Sequence, residues 1–183
     1  MGRKESRIQS WTSRFLLTIF IILTTQNLIS SPVDDHQERF EDVALKIWEY
    51  AELGYLEEKS SGLLQQELED SGFTIQSGIA GIPTAFIAEY NNGGPVLGIL
   101  GEFDALPGLS QQNVPFKTAE GLSSANGHAC GHHLFGAASA WAVVAIKEWL
   151  EESGTPGTIR FYGTPAEEGG SGKVYIARDG YFD

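Results

Sequence analysis

Residues 95–108 read PVLGILGEFDALPG, an apolar run that leads into two carboxylates. A short apolar run of this kind, bounded by turn residues, is typical of a buried strand. Residues 84–90 (TAFIAEY) and 158–164 (TIRFYGT) have the same character, and the turn signal NNGG at 91–94 separates the first two runs. The sequence therefore predicts a sheet that contains these three strands.

Segments with helical periodicity lie on both sides of these strands in the sequence. Residues 36–53 place apolar side chains at helical spacing, and we expect Gly54 to end that helix. Residues 57–71 predict a second amphipathic helix. Residues 134–150 are nearly apolar all round and predict a buried helix, and a last helix is expected at 173–179. This order of elements predicts an α/β domain in which helices cover a sheet.

The predicted domain is strongly acidic. The 183 residues carry a formal net charge of −12, with a pI near 4.7. Residues 1–31 contain more basic than acidic groups, so the acidity belongs to residues 32–183. Such a surface repels phosphate backbones, and we expect no nucleic-acid partner. Carboxylates that crowd into one pocket favour a bound cation instead.

The first 31 residues have the layout of a secretory signal peptide. Basic residues lead into the apolar run FLLTIFIIL at 15–23, and polar and small residues follow it. This run is too short to span a bilayer. We therefore predict a signal peptide at 1–31, a catalytic domain at 32–183, and export to the periplasm or out of the cell. An uncleaved membrane anchor is the alternative.

A pair of carboxylates lies at the end of the predicted strand at 95–103. Glu102 and Asp104 stand two residues apart, so on extended chain they point the same way. Such a pair can hold a metal ion or orient a metal ligand. The alternative is a solvated loop that happens to carry two acidic residues.

Residues 127–133, GHACGHH, hold three of the four histidines in the chain and its only cysteine. Cys130 and His132, two residues apart in an extended loop, can converge on one ion, and both are good zinc ligands. A lone thiol cannot form an intramolecular disulfide, which adds weight to a role as a ligand. The alternative is a loop before a helix, in which His132 or His133 caps or packs.

A third polar cluster, TPAEEGGSG at 164–172, follows the strand at 158–164. Adjacent residues on extended chain face opposite ways, so one of Glu167 and Glu168 can bind metal while the other faces a water molecule. A surface turn is the alternative. Ligands in α/β sheets usually lie beyond the carboxyl ends of strands, where these clusters are expected.

The motifs GEFDALPG (101–108), GHACGHHLFG (127–136) and TPAEEGGSGK (164–173) resemble the metallopeptidase family of aminoacylases, hippurate hydrolases and indole-acetyl-amino-acid hydrolases. Within it they are most similar to the p-aminobenzoyl-glutamate hydrolase type of amidohydrolase. The resemblance covers residues 36–183. It implies a zinc-exopeptidase-like, three-layer α/β catalytic domain, of which this chain is the N-terminal part. It also implies an inserted domain, absent from this chain, through which a homodimer forms.

The resemblance also implies a role for each matching residue. Cys130 would bridge two divalent metal ions, Zn²⁺ or Mn²⁺, and His132 would bind one of them. Glu168 would be a further metal ligand, and Glu167 would be the general base. Asp104 matches an aspartate that orients a histidine or supports the base.

Two positions depart from the family pattern, so the resemblance assigns them no role. Glu102 stands where relatives have histidine or aspartate, and His133 stands where many have aspartate or asparagine. The family also uses two histidines that would follow Asp183. Without them, we expect the isolated 183-residue chain to bind metal weakly and to be inactive.

The activity expected from the resemblance is metal-dependent hydrolysis of amide bonds. The substrates would be N-acyl amino acids, compounds like p-aminobenzoyl-glutamate, or small peptides. Two alternatives are left open: a thiol hydrolase with Cys130 as nucleophile and His132 as base, and a non-catalytic protein of the same fold that binds a metal or a ligand.

Overall fold

The computed structural model describes residues 33–116 and 125–183. The signal peptide predicted at 1–31 lies outside these residues. The helices are α1 (Gln37–Tyr50), α2 (Glu58–Asp70), α3 (His132–Ser153) and α4 (Gly172–Arg178), and short helical turns lie at Asp34–His36, Ile79–Gly81 and Glu167–Gly170. The strands are β1 (Thr74–Ser77), β2 (Phe86–Asn91), β3 (Val96–Gly101) and β4 (Thr158–Gly163).

The four strands form one mixed sheet in the order β1-β2-β4-β3. Strand β2 runs antiparallel to both of its neighbours, whereas β3 and β4 are parallel, with Gly101 opposite Gly163. Parallel strands end at the same edge of a sheet. The segments that follow β3 and β4, which carry the first and third polar clusters, therefore leave the sheet side by side.

The two faces of the sheet are covered unequally. Phe86 and Phe161 project from one face into a core shared with α1, α2 and α3, and each is fully buried. Burial of a large apolar side chain contributes about 1.5–3 kcal/mol. On the other face, Ile87 and Tyr162 pack against Ile176 of α4. The predicted α/β class is confirmed, and among the described residues the second helical layer consists of the short helix α4.

Two predicted helices differ from the structure in their details. Helix α1 ends at Tyr50 rather than at Gly54, because Ala51 adopts the left-handed conformation and closes the helix. Helix α3 was predicted to be buried all round, but Leu134 and Trp149 are exposed on one face. The apolar composition of α3 therefore overstates its burial. No helix within 33–116 and 125–183 combines the length and the apolar character needed to cross a bilayer.

Strand β1 was not predicted from the sequence. Its residues, TIQS, include a single large apolar side chain, and the strand is largely exposed at the edge of the sheet. It forms because its backbone pairs with β2, from Thr74 opposite Glu89 to Ser77 opposite Phe86. Backbone pairing of this kind leaves no hydrophobic periodicity in the sequence.

Gly163, at the end of β4, offers a direct test of this packing. A Cβ atom at that position would lie 2.1 Å from Cε1 of Phe86, whose ring is held against Phe161 with ring centroids 5.6 Å apart. We expect Gly163→Ala to lower the free energy of unfolding by about 1–3 kcal/mol, because the Phe86 ring would have to move within a closely packed core. Urea unfolding of the purified protein measures this change.

The matched control is Gly62→Ala. Gly62 is exposed within α2, and a Cβ there would meet nothing within 4 Å. Alanine is the better helix former, so this change should raise the free energy of unfolding by about 0.5–1 kcal/mol. Equal stability of Gly163→Ala and the unsubstituted protein would contradict the described packing.

Candidate metal centre

His132, the first residue of α3, lies between the two carboxylates that follow β3. Its Nδ1 is 2.8 Å from Oδ1 of Asp104, and its Nε2 is 2.8 Å from Oε2 of Glu102. Helix α3 comes this close because Gly136 has no side chain: a Cβ there would lie 2.6 Å from the backbone oxygen of Glu102. Glu102 and Asp104 thus point the same way, as their spacing predicted.

The Asp104 carboxylate fixes the orientation of the His132 ring. Burial raises the pKa of Asp104, but hydrogen bonds from His132 and from the backbone N–H of Glu168 outweigh burial and hold it below its ordinary value. Burial lowers the pKa of His132, but Asp104 chiefly, with Glu102 and Glu168, brings it above the ordinary value. Asp104 therefore stays ionised and accepts a hydrogen bond from the Nδ1–H of His132, which leaves Nε2 as the atom that can bind a metal ion.

The third motif reaches the same place from the end of β4. Thr164 donates a hydrogen bond through Oγ1 to the backbone oxygen of Gly101, 3.1 Å away, and so holds the two strand ends together. Ala166 then takes the left-handed conformation, with φ 56°. That conformation costs an L-residue roughly 1–2 kcal/mol. It turns the chain so that the N–H of Glu168 donates to Oδ2 of Asp104 at 2.8 Å.

Glu167 and Glu168 were predicted to lie on extended chain and so to face opposite ways. That prediction was wrong, because both residues lie in the helical turn Glu167–Gly170. Both carboxylates approach the same ring. Glu167 Oε2 lies 3.7 Å and Glu168 Oε1 lies 3.8 Å from Nε2 of His132. Their exposure differs: the side chain of Glu167 is 44% exposed and that of Glu168 is 19% exposed.

Two sets of potential metal ligands result from this geometry. Cys130, His132 and Glu168 place one ligand atom each within 4.8 Å of one another, and so do Glu102, His132 and Glu167. The structure thus brings together the three residues predicted to bind metal. That these three residues bind metal stays a prediction, as do the roles of Glu167 and Asp104.

The first set fits a divalent cation. Sulfur, imidazole nitrogen and carboxylate oxygen are the ligands that zinc takes in proteins. Oε1 of Glu168 is buried and has no hydrogen-bond partner in the described part of the chain, so a cation would satisfy it. The pKa of Cys130 is raised, chiefly by the adjacent Glu168 carboxylate and further by the other negative charges around the thiol. A bound cation would reverse this effect and favour the thiolate.

Lys173 is a member of the cluster that the sequence did not reveal. Its Nζ pairs with Oε1 of Glu102, whose other oxygen contacts His132. Glu102, to which the family pattern assigned no role, thus connects His132 to the Lys173 side chain of α4. The two residues are 71 positions apart, and no local pattern relates them.

His133 lies outside both sets of ligands. Its ring packs against that of His128, with centroids 5.1 Å apart, and His128 Nε2 lies 3.0 Å from the backbone oxygen of Ile47. Burial first, and then repulsion from His128 and His132, lowers the pKa of His133 to about 4. His133 is therefore a packed histidine in the first turn of α3, in line with the alternative in which it packs.

Comparison with known proteins agrees with this geometry. Residues 98–183, which include all three motifs, match the profile of peptidase family M20/M25/M40. Residues 98–183 belong to an M20 peptidase domain. In fold the chain is similar to a dinuclear metal-binding M20 peptidase from Bacillus subtilis, with a TM-score of 0.68 and 26% identity, over 82% of this chain and 41% of that one.

Two curated relatives are similar in sequence to the M20 domain and the residues before it. A p-aminobenzoyl-glutamate hydrolase subunit of Escherichia coli (strain K12) is 44% identical over 155 residues, which is 85% of this chain and 32% of that protein. The Xaa-Arg dipeptidase of Mus musculus is 31% identical over 164 residues, which is 82% of this chain and 34% of that protein. The chain thus spans about a third of the length of these relatives.

A substitution at Asp104 tests the metal centre without removing any of the proposed ligands. We expect Asp104→Asn to weaken Zn²⁺ or Mn²⁺ binding about 10–100-fold, because an amide no longer fixes the His132 tautomer. It should leave the number of ions bound at saturation unchanged. Calorimetric titration of the full-length protein measures both quantities. Asp42→Asn, the same change at an exposed residue of α1, is the control and should bind metal normally. Unchanged affinity in Asp104→Asn would remove Asp104 from the centre.

Proposed function

We propose that the protein hydrolyses the amide bond of small N-acyl amino acids, with p-aminobenzoyl-glutamate as the first candidate substrate. The observation that carries this proposal is the convergence of Cys130, His132, Glu167 and Glu168 on one point beside the sheet edge. The names of the two relatives, a hydrolase of p-aminobenzoyl-glutamate and a dipeptidase, support the same bond type. The M20 domain supports metal-dependent chemistry.

The proposed metal ligands from this chain are Cys130, His132 and Glu168. The dinuclear neighbour from Bacillus subtilis favours two ions, which these three residues would help to hold. Zn²⁺ and Mn²⁺ are the candidates. When bound, such ions lower the pKa of a water molecule and polarise the scissile carbonyl.

Glu167 is proposed as the general base. It is the most exposed carboxylate of the cluster, so it can face a substrate, and it lies next to Glu168 in the chain. Its carboxylate takes the proton from the attacking water and delivers it to the leaving amine nitrogen. Asp104 holds both His132 and the Glu168 backbone in place and has no free position from which to act as the base.

The contacts in the cluster favour this mechanism over the two alternatives. In a thiol hydrolase, His132 would take a proton from Cys130, but its Nε2 contacts Glu102 and its Nδ1 contacts Asp104. A protein that only bound metal would not require Glu167, which is exposed next to the half-buried proposed ligand Glu168.

We also propose how the whole protein assembles and where it acts. The Escherichia coli relative is named as a subunit, which favours an assembly of more than one chain. A homodimer formed through a further domain is our proposal for that assembly. Export, proposed from the composition of residues 1–31, would place the enzyme outside the cytoplasm.

Glu167→Gln tests the general base. The variant should bind metal as the unsubstituted protein does, since Cys130, His132 and Glu168 are unchanged. Its kcat for p-aminobenzoyl-glutamate should fall by about 10²–10⁴-fold, because the attacking water loses its proton acceptor. Metal analysis and steady-state kinetics of the full-length protein measure the two effects.

Glu168→Gln and chelation complete this experiment. Glu168→Gln should lose metal as well as turnover, which separates a ligand from a base. A chelator should abolish activity, and added Zn²⁺ or Mn²⁺ should restore it; activity that survives chelation would favour the Cys130 thiol hydrolase. Full turnover by Glu167→Gln would exclude Glu167 as the base.

A further inference from the structure

Glu57, next to α2, is a buried carboxylate that the proposed mechanism does not use. Its side chain is fully buried. Oε2 accepts a hydrogen bond from Oγ1 of Thr84 at 3.1 Å, and Oε1 accepts one from the backbone N–H of Ala166 at 2.8 Å. No cation pairs with it in the described part of the chain. A carboxylate buried without a cation is costly unless hydrogen bonds compensate, so its presence calls for a reason.

The conformation of Ala166 sets the direction of the helical turn Glu167–Gly170. It is fully buried, has a φ of 56°, and immediately precedes Glu167 and Glu168. An alanine rarely adopts the left-handed conformation unless its surroundings impose it. The hydrogen bond to Glu57 fixes the N–H of this residue, and with it the direction in which Glu167 and Glu168 leave β4.

Other contacts tie the segment before α2 to the same turn. A Cβ at Gly54 would lie 3.0 Å from Ala166, so the two backbones pack closely. The Tyr55 hydroxyl donates a hydrogen bond to the backbone oxygen of Gly170 at the end of the turn. The backbone of Glu52 accepts the N–H of Ala105 at 2.8 Å, which connects the segment to the first motif as well. Residues 52–57 thus contact two of the three motifs.

From these contacts we infer that Glu57 is a positioning residue for the general base: through the Ala166 N–H it holds Glu167 and Glu168 at the orientation that catalysis needs. The inference rests on the proposed function and adds a residue 109 positions distant from the turn. Glu57 contributes a side chain long enough to reach Ala166 and an oxygen that accepts its hydrogen bond. Its negative charge is not required, because both of these hydrogen-bond partners are neutral donors.

Two variants separate the effect of side-chain length at position 57 from the effect of its charge. Glu57→Gln keeps the length of the side chain and an oxygen that can accept the Ala166 N–H, but it has no charge. Glu57→Asp keeps the charge but is one methylene shorter and cannot reach Ala166. In the full-length, metal-loaded protein, we expect Glu57→Asp to lower kcat for p-aminobenzoyl-glutamate by roughly 10²-fold with little change in KM, since a misplaced base slows the chemical step. Glu57→Gln should retain most of the kcat.

Ser61→Ala is the matched control for a purely structural effect. Ser61 is buried in α2, the helix that follows Glu57, and donates its hydroxyl to the backbone oxygen of Thr84 at 2.8 Å, but it has no hydrogen bond to Ala166. It should lower the melting temperature without changing kcat. If Glu57→Asp does not fold, Glu57→Gln still decides the matter, because a large fall in its kcat would overturn the inference.

The remaining outcomes are also decisive. Normal kcat in Glu57→Asp would show that Glu57 does not position the turn, and a loss confined to Glu57→Gln would show that its charge matters instead. Failure of the proposed function is distinguishable from these results, because the unsubstituted, metal-loaded protein would then not hydrolyse p-aminobenzoyl-glutamate.

Discussion

The parallel pairing of β3 with β4 is the constraint on which the rest of the site depends. It places Gly101 opposite Gly163, so that the motifs at 101–108 and 164–173 leave the sheet at one edge. The hydrogen bond from Thr164 to Gly101 continues that pairing past the last ladder positions. An antiparallel pair would have sent the two acidic segments to opposite ends of the sheet, about 20 Å apart for strands of this length. Helix α3 then adds the third motif, because Gly136 allows its first turn to contact the strand end.

Asp104 converts this proximity into a defined geometry. One of its oxygens accepts from the His132 ring, and the other accepts from the Glu168 backbone, so a single buried carboxylate sets the position of two proposed ligands. The cluster that results is crowded with negative charge, and Lys173 is its one cationic side chain among the described residues that pair with it. Carboxylates held this close to a thiol and an imidazole are stable together when a divalent cation neutralises them. The acidity of the sequence and the local geometry therefore lead to the same requirement.

The sequence predicted the residues that converge, but not how they are held. Cys130, His132 and Glu168 could be chosen because their types and order are informative. Strands β2, β3 and β4 could be placed because they are apolar runs, whereas β1 is specified by backbone pairing alone. The helical turn at Glu167–Gly170 was missed because it depends on the left-handed Ala166, and that conformation is supported by Glu57, which is 109 positions away. Tertiary contacts of this kind leave no local pattern, and Glu57 itself looks like an ordinary acidic residue at the start of a helix.

Anomalous diffraction can decide whether Cys130, His132 and Glu168 bind the same metal centre. Crystals of the full-length protein loaded with Zn²⁺ would be measured at the zinc absorption edge. We predict anomalous density about 2.3 Å from the Cys130 sulfur and about 2.0–2.1 Å from Nε2 of His132, with a Glu168 oxygen as the third ligand from this chain. Zinc bound elsewhere, with the thiol of Cys130 and Nε2 of His132 both unligated, would contradict a shared centre.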